Sequence, residues 1–260
     1  MTGAGGLLLA LDAGNTDIKA AVFDGPRPVA RLRAPRRGGA DPLETLRAGL
    51  AALPAGVHWR GAVLTSVAPS LDGALERLCR SITGHAPLVI GAASDLGITV
   101  ATETPEQVGA DRLVNAAAAF LLFGGPLVVA DLGTAITVCA VDAGGRFLGG
   151  AIAPGPAMAR DALAERTEKL PVVALQAPPG PIGRTTEHAM QAGLVWGFAG
   201  LLDRLIDQAL AALGHPAVAG VYLTGGLAAL FAPHLAHGHR LVPDLTLDGL
   251  RLLFERARRP

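Results

Sequence analysis

Two short stretches of this chain place a carboxylate, a glycine and small polar side chains at the end of an apolar run. The first reads Leu9-Ala10-Leu11-Asp12-Ala13-Gly14-Asn15-Thr16, and the second reads Val128-Val129-Ala130-Asp131-Leu132-Gly133-Thr134-Ala135. A further apolar run follows each stretch, which predicts two β-hairpins with tight polar turns. Such a turn can bind phosphate, because glycine lets the backbone approach an anion and the aspartate can orient a metal ion.

The composition favours a protein with large hydrophobic cores and a neutral overall field. The chain has 260 residues, half of them hydrophobic, and 22 basic residues balance 22 acidic ones. This balance argues against a nucleic-acid partner or an anionic membrane. Cys79 and Cys139 lie far apart without CxxC spacing. We therefore expect buried thiols in a cytoplasmic protein and neither a disulfide framework nor a zinc site.

Two apolar segments are too short or too polar to direct the chain to a membrane. The run from Leu7 to Leu11 meets Asp12 at once and has no basic residue before it, unlike a signal peptide. The region from Leu194 to Leu213 contains Asp203 and two further charged residues, and its large apolar residues recur at helical intervals. It predicts an amphipathic helix and not a membrane span.

Alternating strand and helix signals predict an α/β fold, and the duplicated turn favours two related domains, 1–124 and 125–260. In the first half we expect, after the hairpin, a helix from about Pro42, a strand Gly61–Thr65, a helix from Ser70, a strand Pro87–Ile90 and a helix opened by Pro105. In the second half we expect, after the hairpin, a strand Arg146–Ile152, a glycine- and proline-rich turn, a helix from about Thr186, a strand Val218–Thr224 and a closing helix from Thr246.

Three further motifs accompany the two turns. They are Gly109-Ala110-Asp111-Arg112, Gly149-Gly150-Ala151-Ile152-Ala153-Pro154-Gly155 and Thr224-Gly225-Gly226. In this order, over almost the whole chain, the five motifs resemble type III pantothenate kinase, a branch of the acetate kinase, sugar kinase, heat-shock chaperone and actin superfamily. The resemblance implies two ribonuclease-H-like (actin-like ATPase) domains, each a mixed sheet flanked by helices. It also implies a nucleotide in the cleft between the domains, a homodimer, and a last helix able to pack back on the first domain.

The same resemblance implies ATP-dependent phosphorylation of pantothenate to 4′-phosphopantothenate, the first step of coenzyme A biosynthesis. It assigns ATP binding to Asp12, Ala13, Gly14, Asn15, Thr16, Asp17, Ile18, Lys19 and Thr134. Asp12 is implied to lie near the Mg²⁺ of Mg-ATP, and Asp131 to bind a monovalent cation, K⁺ or NH₄⁺. Oxygen-only coordination suits such hard cations.

Pantothenate binding is implied for Gly109, Ala110, Asp111, Arg112 and Thr186, with Asp111 as the general base on the primary hydroxyl. Two features depart from the family pattern and concern this pocket. Thr102 stands where an aromatic residue is frequent, so one wall of the pocket is expected to differ. Ala189 and Ala192 stand where serine is frequent, which removes two hydroxyl groups.

Several plainer interpretations stand beside these assignments. Asp111 and Arg112 suit an exposed pair in the first turn of a helix, and either Asp-x-Gly turn suits a simple polar hairpin. A sugar-type kinase of the same superfamily and a non-catalytic nucleotide-binding regulator are the alternative functions. The histidines at 234, 237 and 239 predict a solvated turn, and the arginines from Arg27 to Arg37 predict a solvent-facing stretch.

Overall fold

The computed structural model describes residues 6–54, 56–215 and 219–259. These residues form two compact units. Unit 1 contains 6–98, 103–121 and 245–259, and unit 2 contains 99–102 and 122–244. The chain leaves unit 1 briefly at 99–102, enters the main part of unit 2 between Leu121 and Leu122, and returns at Leu245, so the last helix belongs to unit 1.

Unit 1 is built on a five-stranded mixed sheet of order β3-β2-β1-β4-β5. Its strands are β1 (Leu7–Ala13), β2 (Asp17–Asp24), β3 (Arg27–Pro35), β4 (Trp59–Ser66) and β5 (Leu88–Val89). The central strand β1 is antiparallel to β2 and parallel to β4. Every residue of β1 is buried, which explains its nearly unbroken apolar sequence. The edge strand β3 instead alternates, with arginines exposed on one side.

Helices cover both faces of this sheet. They are α1 (Pro42–Ala51), α2 (Asp72–Thr83) and, after unit 2, α7 (Leu245–Arg256), while α3 (Ala110–Phe123) packs against α7. Leu9 and Leu11 of β1 share a buried cluster with residues of α1 and α2. The opposite face carries Phe23, whose ring lies 5.7 Å from the guanidinium of Arg251 on α7. The sheet is therefore buried on both sides, and α7 closes the face that α1 and α2 leave open.

Unit 2 contains a six-stranded sheet of order β11-β10-β7-β8-β9-β6. Its strands are β6 (Thr99–Val100), β7 (Leu127–Leu132), β8 (Ala135–Val141), β9 (Arg146–Pro154), β10 (Gly220–Thr224) and β11 (Arg240–Leu241). Its helices are α4 (Pro156–Arg166), α5 (Thr186–Ala212) and the short α6 (Ala228–Phe231). The main core packs α5 and α6 against one face of β7, β8 and β10.

The duplication seen in the sequence extends to the topology and to individual hydrogen bonds. In each unit a hairpin and a third antiparallel strand are followed by a crossover to a strand parallel to the first. Thr65 on β4 pairs with Asp12 and donates its hydroxyl to the Ile90 carbonyl at 3.4 Å. Thr224 on β10 pairs with Asp131 and donates its hydroxyl to the Pro243 carbonyl, also at 3.4 Å. The two sheets therefore share the order and direction of their central strands and an equivalent threonine hydrogen bond.

The α/β class, both hairpins and most predicted elements are confirmed, but two expectations need correction. The helix expected from Pro105 begins at Ala110, because Pro105–Gln107 is an isolated 3₁₀ turn and Val108 is extended. The glycine- and proline-rich turn after β9 contains the helix α4, since Gly155 and Pro156 occupy its first positions, where proline is favoured. The strands β3, β6 and β11 were not predicted. Val218, the expected start of a strand, lies outside the described residues, and β10 begins at Gly220.

The expectations about the thiols and the long apolar region are confirmed. Cys79 and Cys139 are both buried and form no disulfide. Burial raises the pKa of the Cys79 thiol to about 12, so this group is an inert part of the core. The apolar region from Leu194 lies within α5, and none of the described helices is long and apolar enough to cross a bilayer.

Candidate active site

The first polar turn joins β1 to β2 and is exposed between buried ends. The Gly14 N–H donates to the Asp17 carbonyl at 3.0 Å and closes the turn. Asn15 and Thr16 at its tip are exposed, whereas Asp12 before it and Asp17 after it are 7% and 8% exposed. The hairpin therefore presents a short, polar, glycine-containing loop at the carboxyl end of the central strand, where a phosphate group can approach the backbone.

Asp12 lies at the end of β1, on the sheet face opposite the cluster of α1 and α2. Its cross-strand neighbours are Lys19 on β2 and the fully buried Thr65 on β4. Asp12 and Lys19 form an antiparallel pair, whose Cβ atoms lie about 5 Å apart, so their side chains leave the sheet on the same face beside the turn. This pair can contribute an oxygen ligand for a cation and a positive charge for a phosphate.

Two arginines of the largely solvent-facing stretch also contact this turn, which the sequence did not predict. The Arg33 guanidinium forms an ion pair with the Asp17 carboxylate, with N···O distances of 2.5 Å. The Nη1 group of Arg36 donates to the carbonyls of Gly14 at 2.9 Å and Asn15 at 3.3 Å. Sequence reasoning missed this arrangement because it did not predict β3, the strand whose pairing with β2 carries both arginines to the hairpin.

Asp111 occupies the first turn of α3, also in unit 1. The Gly109 carbonyl accepts hydrogen bonds from Arg112 N–H and Leu113 N–H, which begins the helix. The Oδ1 atom of Asp111 accepts from Arg112 N–H at 2.8 Å, while within the described part of the chain its Oδ2 atom has no hydrogen-bond partner. The side chain is half-buried. One oxygen of the carboxylate is thus held in place by the first turn of the helix, and the other is engaged by none of the described residues.

The helix α3 is anchored to the rest of unit 1 through α7. The Thr246 hydroxyl donates to Asn115 Oδ1 at 2.7 Å in a buried position. Gly249 on α7 lies so close to Val114 and Ala118 that a Cβ there would come within 3 Å of their side chains. Since α7 also packs on the sheet face that carries Asp12, the helix of Asp111 and the first turn are parts of one packed body. No described hydrogen bond joins Asp111 to the turn itself.

The second polar turn, between β7 and β8, is shorter and more closely packed. Asp131 pairs with Thr137 on β8 and Thr224 on β10, and Thr134 is exposed at the tip. Gly155, which precedes α4, donates its N–H to the Thr134 carbonyl at 3.1 Å. A Cβ at Gly155 would clash with that carbonyl and would lie 2.8 Å from the Gly133 carbonyl. The glycine before α4 is therefore required by its contact with the turn.

The third motif, Thr224-Gly225-Gly226, packs directly on the second turn. The Leu227 N–H donates to the Leu132 carbonyl at 3.0 Å. Gly225 has a φ of +95°, and a Cβ there would clash with Asp131 Oδ1 and lie 2.6 Å from the Leu132 backbone. Unit 2 thus brings Asp131, the second turn and the third motif together in one small region.

Thr186 lies apart from this region, on the first turn of α5. Thr185 caps the helix by accepting a hydrogen bond from His188 N–H at 3.1 Å. Thr186 lines a groove of about 770 Å³ between α4 and α5. The groove is mainly apolar, with Leu163, Met190, Leu194 and Phe198 in its walls and Arg166 among its few polar groups.

The expected cations fit the oxygen donors of these turns. Among the described residues no three histidine, cysteine, aspartate or glutamate side chains converge on one point. Mg²⁺ in nucleotide sites commonly takes one or two carboxylates and completes its shell with phosphate oxygens and water, which suits Asp12 at the edge of an exposed turn. Asp131 is paired across the sheet with two threonines, Thr137 and Thr224, and its carboxylate is a hard oxygen donor that suits a monovalent cation.

Comparison with known proteins identifies the family. A family model described as type III pantothenate kinase matches residues 8–208. The chain belongs to the type III pantothenate kinase family. A type III pantothenate kinase of Moorella thermoacetica is 42% identical over 260 residues, covering 96% of this chain and 99% of that protein. One of Thermomicrobium roseum is 40% identical and covers 97% of this chain and 98% of that protein. The resemblance drawn from the five motifs is confirmed, and with it membership of an ATP-dependent kinase family.

Solved structures of lower similarity agree on the fold. The ethanolamine utilization protein EutJ of Carboxydothermus hydrogenoformans matches with a TM-score of 0.59 at 16% identity, covering 95% of this chain and 89% of that one. The apo psk41 ParM protein matches with a TM-score of 0.50 at 11% identity, covering 98% and 100%. At such identities the likeness concerns the fold alone, and it confirms the actin-like ATPase fold expected for a type III pantothenate kinase.

Proposed function

We propose that this type III pantothenate kinase transfers the γ-phosphoryl group of ATP to the primary hydroxyl of pantothenate, giving 4′-phosphopantothenate, the first step of coenzyme A biosynthesis. The observation that carries the proposal is the family match over residues 8–208, a span that contains both polar turns and the helix of Asp111. We also propose a cytoplasmic location, which the buried, reduced cysteines suit.

In this proposal the first turn and its flanks, Asp12 to Lys19, bind the ATP phosphates, and Thr134 binds them from the second turn. The exposed backbone at Asn15 and Thr16 offers N–H donors, and Lys19 offers a positive charge. The side chain of Asp17 is engaged by Arg33, so we assign its contribution to shaping the turn. Thr134 has a hydroxyl at the exposed tip of its hairpin, which suits a contact to a phosphate oxygen.

Pantothenate binds, in the same proposal, along Gly109 to Arg112 and at Thr186. Asp111 is the general base: its Oδ2 accepts the hydroxyl proton as the hydroxyl oxygen bonds to the γ-phosphorus and the bond from phosphorus to the ADP oxygen breaks. A general base typically contributes about 10²–10⁴-fold to the rate. Arg112 supplies positive charge for the carboxylate of pantothenate. The hydrogen bond that holds Oδ1 of Asp111 supports this role, as does its Oδ2, which accepts from none of the described residues.

The proposal includes two cations. Asp12 holds the Mg²⁺ of Mg-ATP, either directly or through water, and Asp131 holds K⁺ or NH₄⁺. When bound, such cations neutralise the charge that develops on the phosphate oxygens. The backbone of each aspartate is paired with a strand on both sides, which limits the positions that its carboxylate can take.

We further propose that two copies of the chain form a homodimer through the groove between α4 and α5. Leu163, which lines the groove, is 37% exposed, and Met158, the neighbour in sequence of the lining residue Ala159, is 49% exposed. Exposed large apolar side chains beside an apolar groove are typical of protein interfaces. Since Thr186 lines the same groove, dimer formation would enclose a residue that we assign to the substrate.

The test is the detection of phosphopantothenate by mass spectrometry after incubation of the purified protein with pantothenate and Mg-ATP, with and without K⁺. We expect a product that depends on K⁺ and that Asp111→Asn reduces by at least about 10²-fold, because an amide cannot accept the proton. Glu106→Gln, an exposed carboxylate change just before α3, is the matched control and should retain activity. Folded, ATP-binding protein that forms no product would refute the pantothenate assignment, and product from sugars would favour the sugar-type kinase.

A further inference from the structure

We propose that Arg36 is a positioning residue that orients the phosphate turn of unit 1, an inference that rests on the proposed ATP-binding role of this turn. Arg36 follows the edge strand β3 and is half-buried. Its three hydrogen bonds to described residues all go to the turn: its own N–H donates to the Thr16 carbonyl at 2.8 Å, and its Nη1 donates to the carbonyls of Gly14 and Asn15. One residue therefore binds three consecutive carbonyls of the turn.

Because the peptide bond is planar and trans, the direction of each carbonyl also fixes the direction of the N–H group that follows it. In each peptide unit the C=O and the following N–H point in opposite directions. When Arg36 holds the carbonyls of Gly14, Asn15 and Thr16 on one side, the N–H groups of Asn15, Thr16 and Asp17 are turned to the other side. A row of N–H groups facing one way is the arrangement that binds an anion.

The positive charge of Arg36, like the position of its hydrogen bonds, favours a phosphate at this turn. Carbonyl oxygens close to a phosphate would repel it, and the guanidinium engages two of these oxygens from behind the turn. Within the described residues, the Nε and Nη2 groups of Arg36 donate to no other protein group. The guanidinium therefore serves the turn alone and contributes its positive charge near the bound phosphates.

Arg37 provides a natural comparison. It carries the same charge, is adjacent in sequence and is exposed, and it makes no described contact with the turn. A general electrostatic effect of the arginine stretch would involve both residues. A positioning effect would involve Arg36 alone.

The test measures nucleotide binding directly, by calorimetry with the non-hydrolysable analogue AMP-PNP and with adenosine, in the intact protein and in Arg36→Ala, Arg36→Lys and Arg37→Ala. We expect Arg36→Ala to bind AMP-PNP about 10-fold more weakly, the factor that corresponds to a charge-assisted hydrogen bond. Adenosine, which has no phosphate, should bind unchanged. Arg36→Lys should fall in between, because one ammonium cannot reproduce the fork of a guanidinium, and Arg37→Ala should bind as the intact protein does.

In steady-state assays the same Arg36→Ala protein should show a raised KM for ATP and an unchanged KM for pantothenate. The inference is overturned if Arg36→Ala binds AMP-PNP normally, if it loses AMP-PNP and adenosine affinity equally, or if Arg37→Ala has the same effect. It also falls if the intact protein does not bind AMP-PNP. Because the binding experiment contains no pantothenate, a wrong acceptor assignment would leave its result unchanged. Arg36→Lys gives the same comparison should the alanine variant fold poorly.

Discussion

The two polar turns have the same strand frame but are held in place in different ways. In the first hairpin Ala13 pairs with Ile18, whereas in the second Leu132 pairs with Ile136, so the first loop is one residue longer. The first turn is fastened by arginine side chains that reach it from the edge-strand region. The second is fastened by the backbone of Gly155 and Gly225, which approach it too closely for any side chain.

This difference separates two ways of supporting a polar turn. Side-chain hydrogen bonds at an exposed turn contribute modestly to stability, so their loss should weaken ligand binding and leave the fold intact. A turn held by close backbone packing tolerates substitution less well. An added methyl group there must displace a neighbouring strand, which destabilises the fold. The first turn is therefore tunable by substitution, and the second is fixed by the fold of unit 2.

The largest expected effect is on the stability of unit 2 when a methyl group is added at Gly225. Gly225→Ala introduces a Cβ against Asp131 and the Leu132 backbone at a residue with φ +95°. We expect a loss of about 3 kcal/mol from the combined clash and strained backbone. The matched change Gly14→Ala meets only the Asp17 carbonyl at 3.2 Å and should cost less than about 1 kcal/mol. Denaturant unfolding of both variants measures the difference.

Equal losses in the two glycine variants would contradict the proposed contrast between the turns. The same would follow if Gly225→Ala left the unfolding midpoint unchanged and reduced only the affinity for nucleotide. Trp196 is the single tryptophan of unit 2, and Trp59 lies in unit 1. In a Trp59→Phe background, tryptophan fluorescence therefore reports unfolding of the unit in which the Gly225 substitution lies.

Smaller effects, on activity and not on stability, are expected when either Asp12 or Asp131 is replaced, and the two replacements should change the response to different cations. Asp12→Asn should lower kcat/KM by about 10²-fold, because a fixed group that stabilises transition-state charge is lost, and the requirement for Mg²⁺ should rise. Asp131→Asn should lower activity about 10-fold and abolish the response to K⁺. Titrations of each variant with Mg²⁺ and with K⁺ at constant ionic strength separate the two roles. A variant whose cation dependence matches that of the intact enzyme would show that its aspartate does not hold that cation.

The sequence predicted the frame of both turns but not what holds them. Alternation and the repeated Asp-x-Gly pattern were enough for the hairpins, the α/β class and, through the resemblance, the family. Arg36 could not be assigned to the turn, because its contact depends on β3, a strand whose alternating arginines resemble a solvated loop. Gly155 and Gly225 belonged to recognised motifs, but their packing against the second turn could not be predicted. Each allows a close contact between segments that are distant in sequence. The roles assigned to the site residues stay predictions.

The smallest expected effect concerns Thr65 and Thr224, the buried threonines that occupy equivalent positions in the two units. Replacing them tests whether equivalent hydrogen bonds also contribute equally to stability. Thr65 and Thr224 each lie beside an aspartate and donate to a carbonyl after the next strand at 3.4 Å. Valine has nearly the same shape, so Thr65→Val and Thr224→Val mainly remove one long hydrogen bond each. Each change should cost about 1 kcal/mol in the free energy of unfolding. Because the two threonines share no partner, the losses should add in the double variant. A large loss in Thr224→Val alone, measured by the same denaturant titration, would mean that the packed turn of unit 2 depends on this hydroxyl as well as on its glycines. Such a result would deepen the contrast with unit 1, where the arginines provide the support.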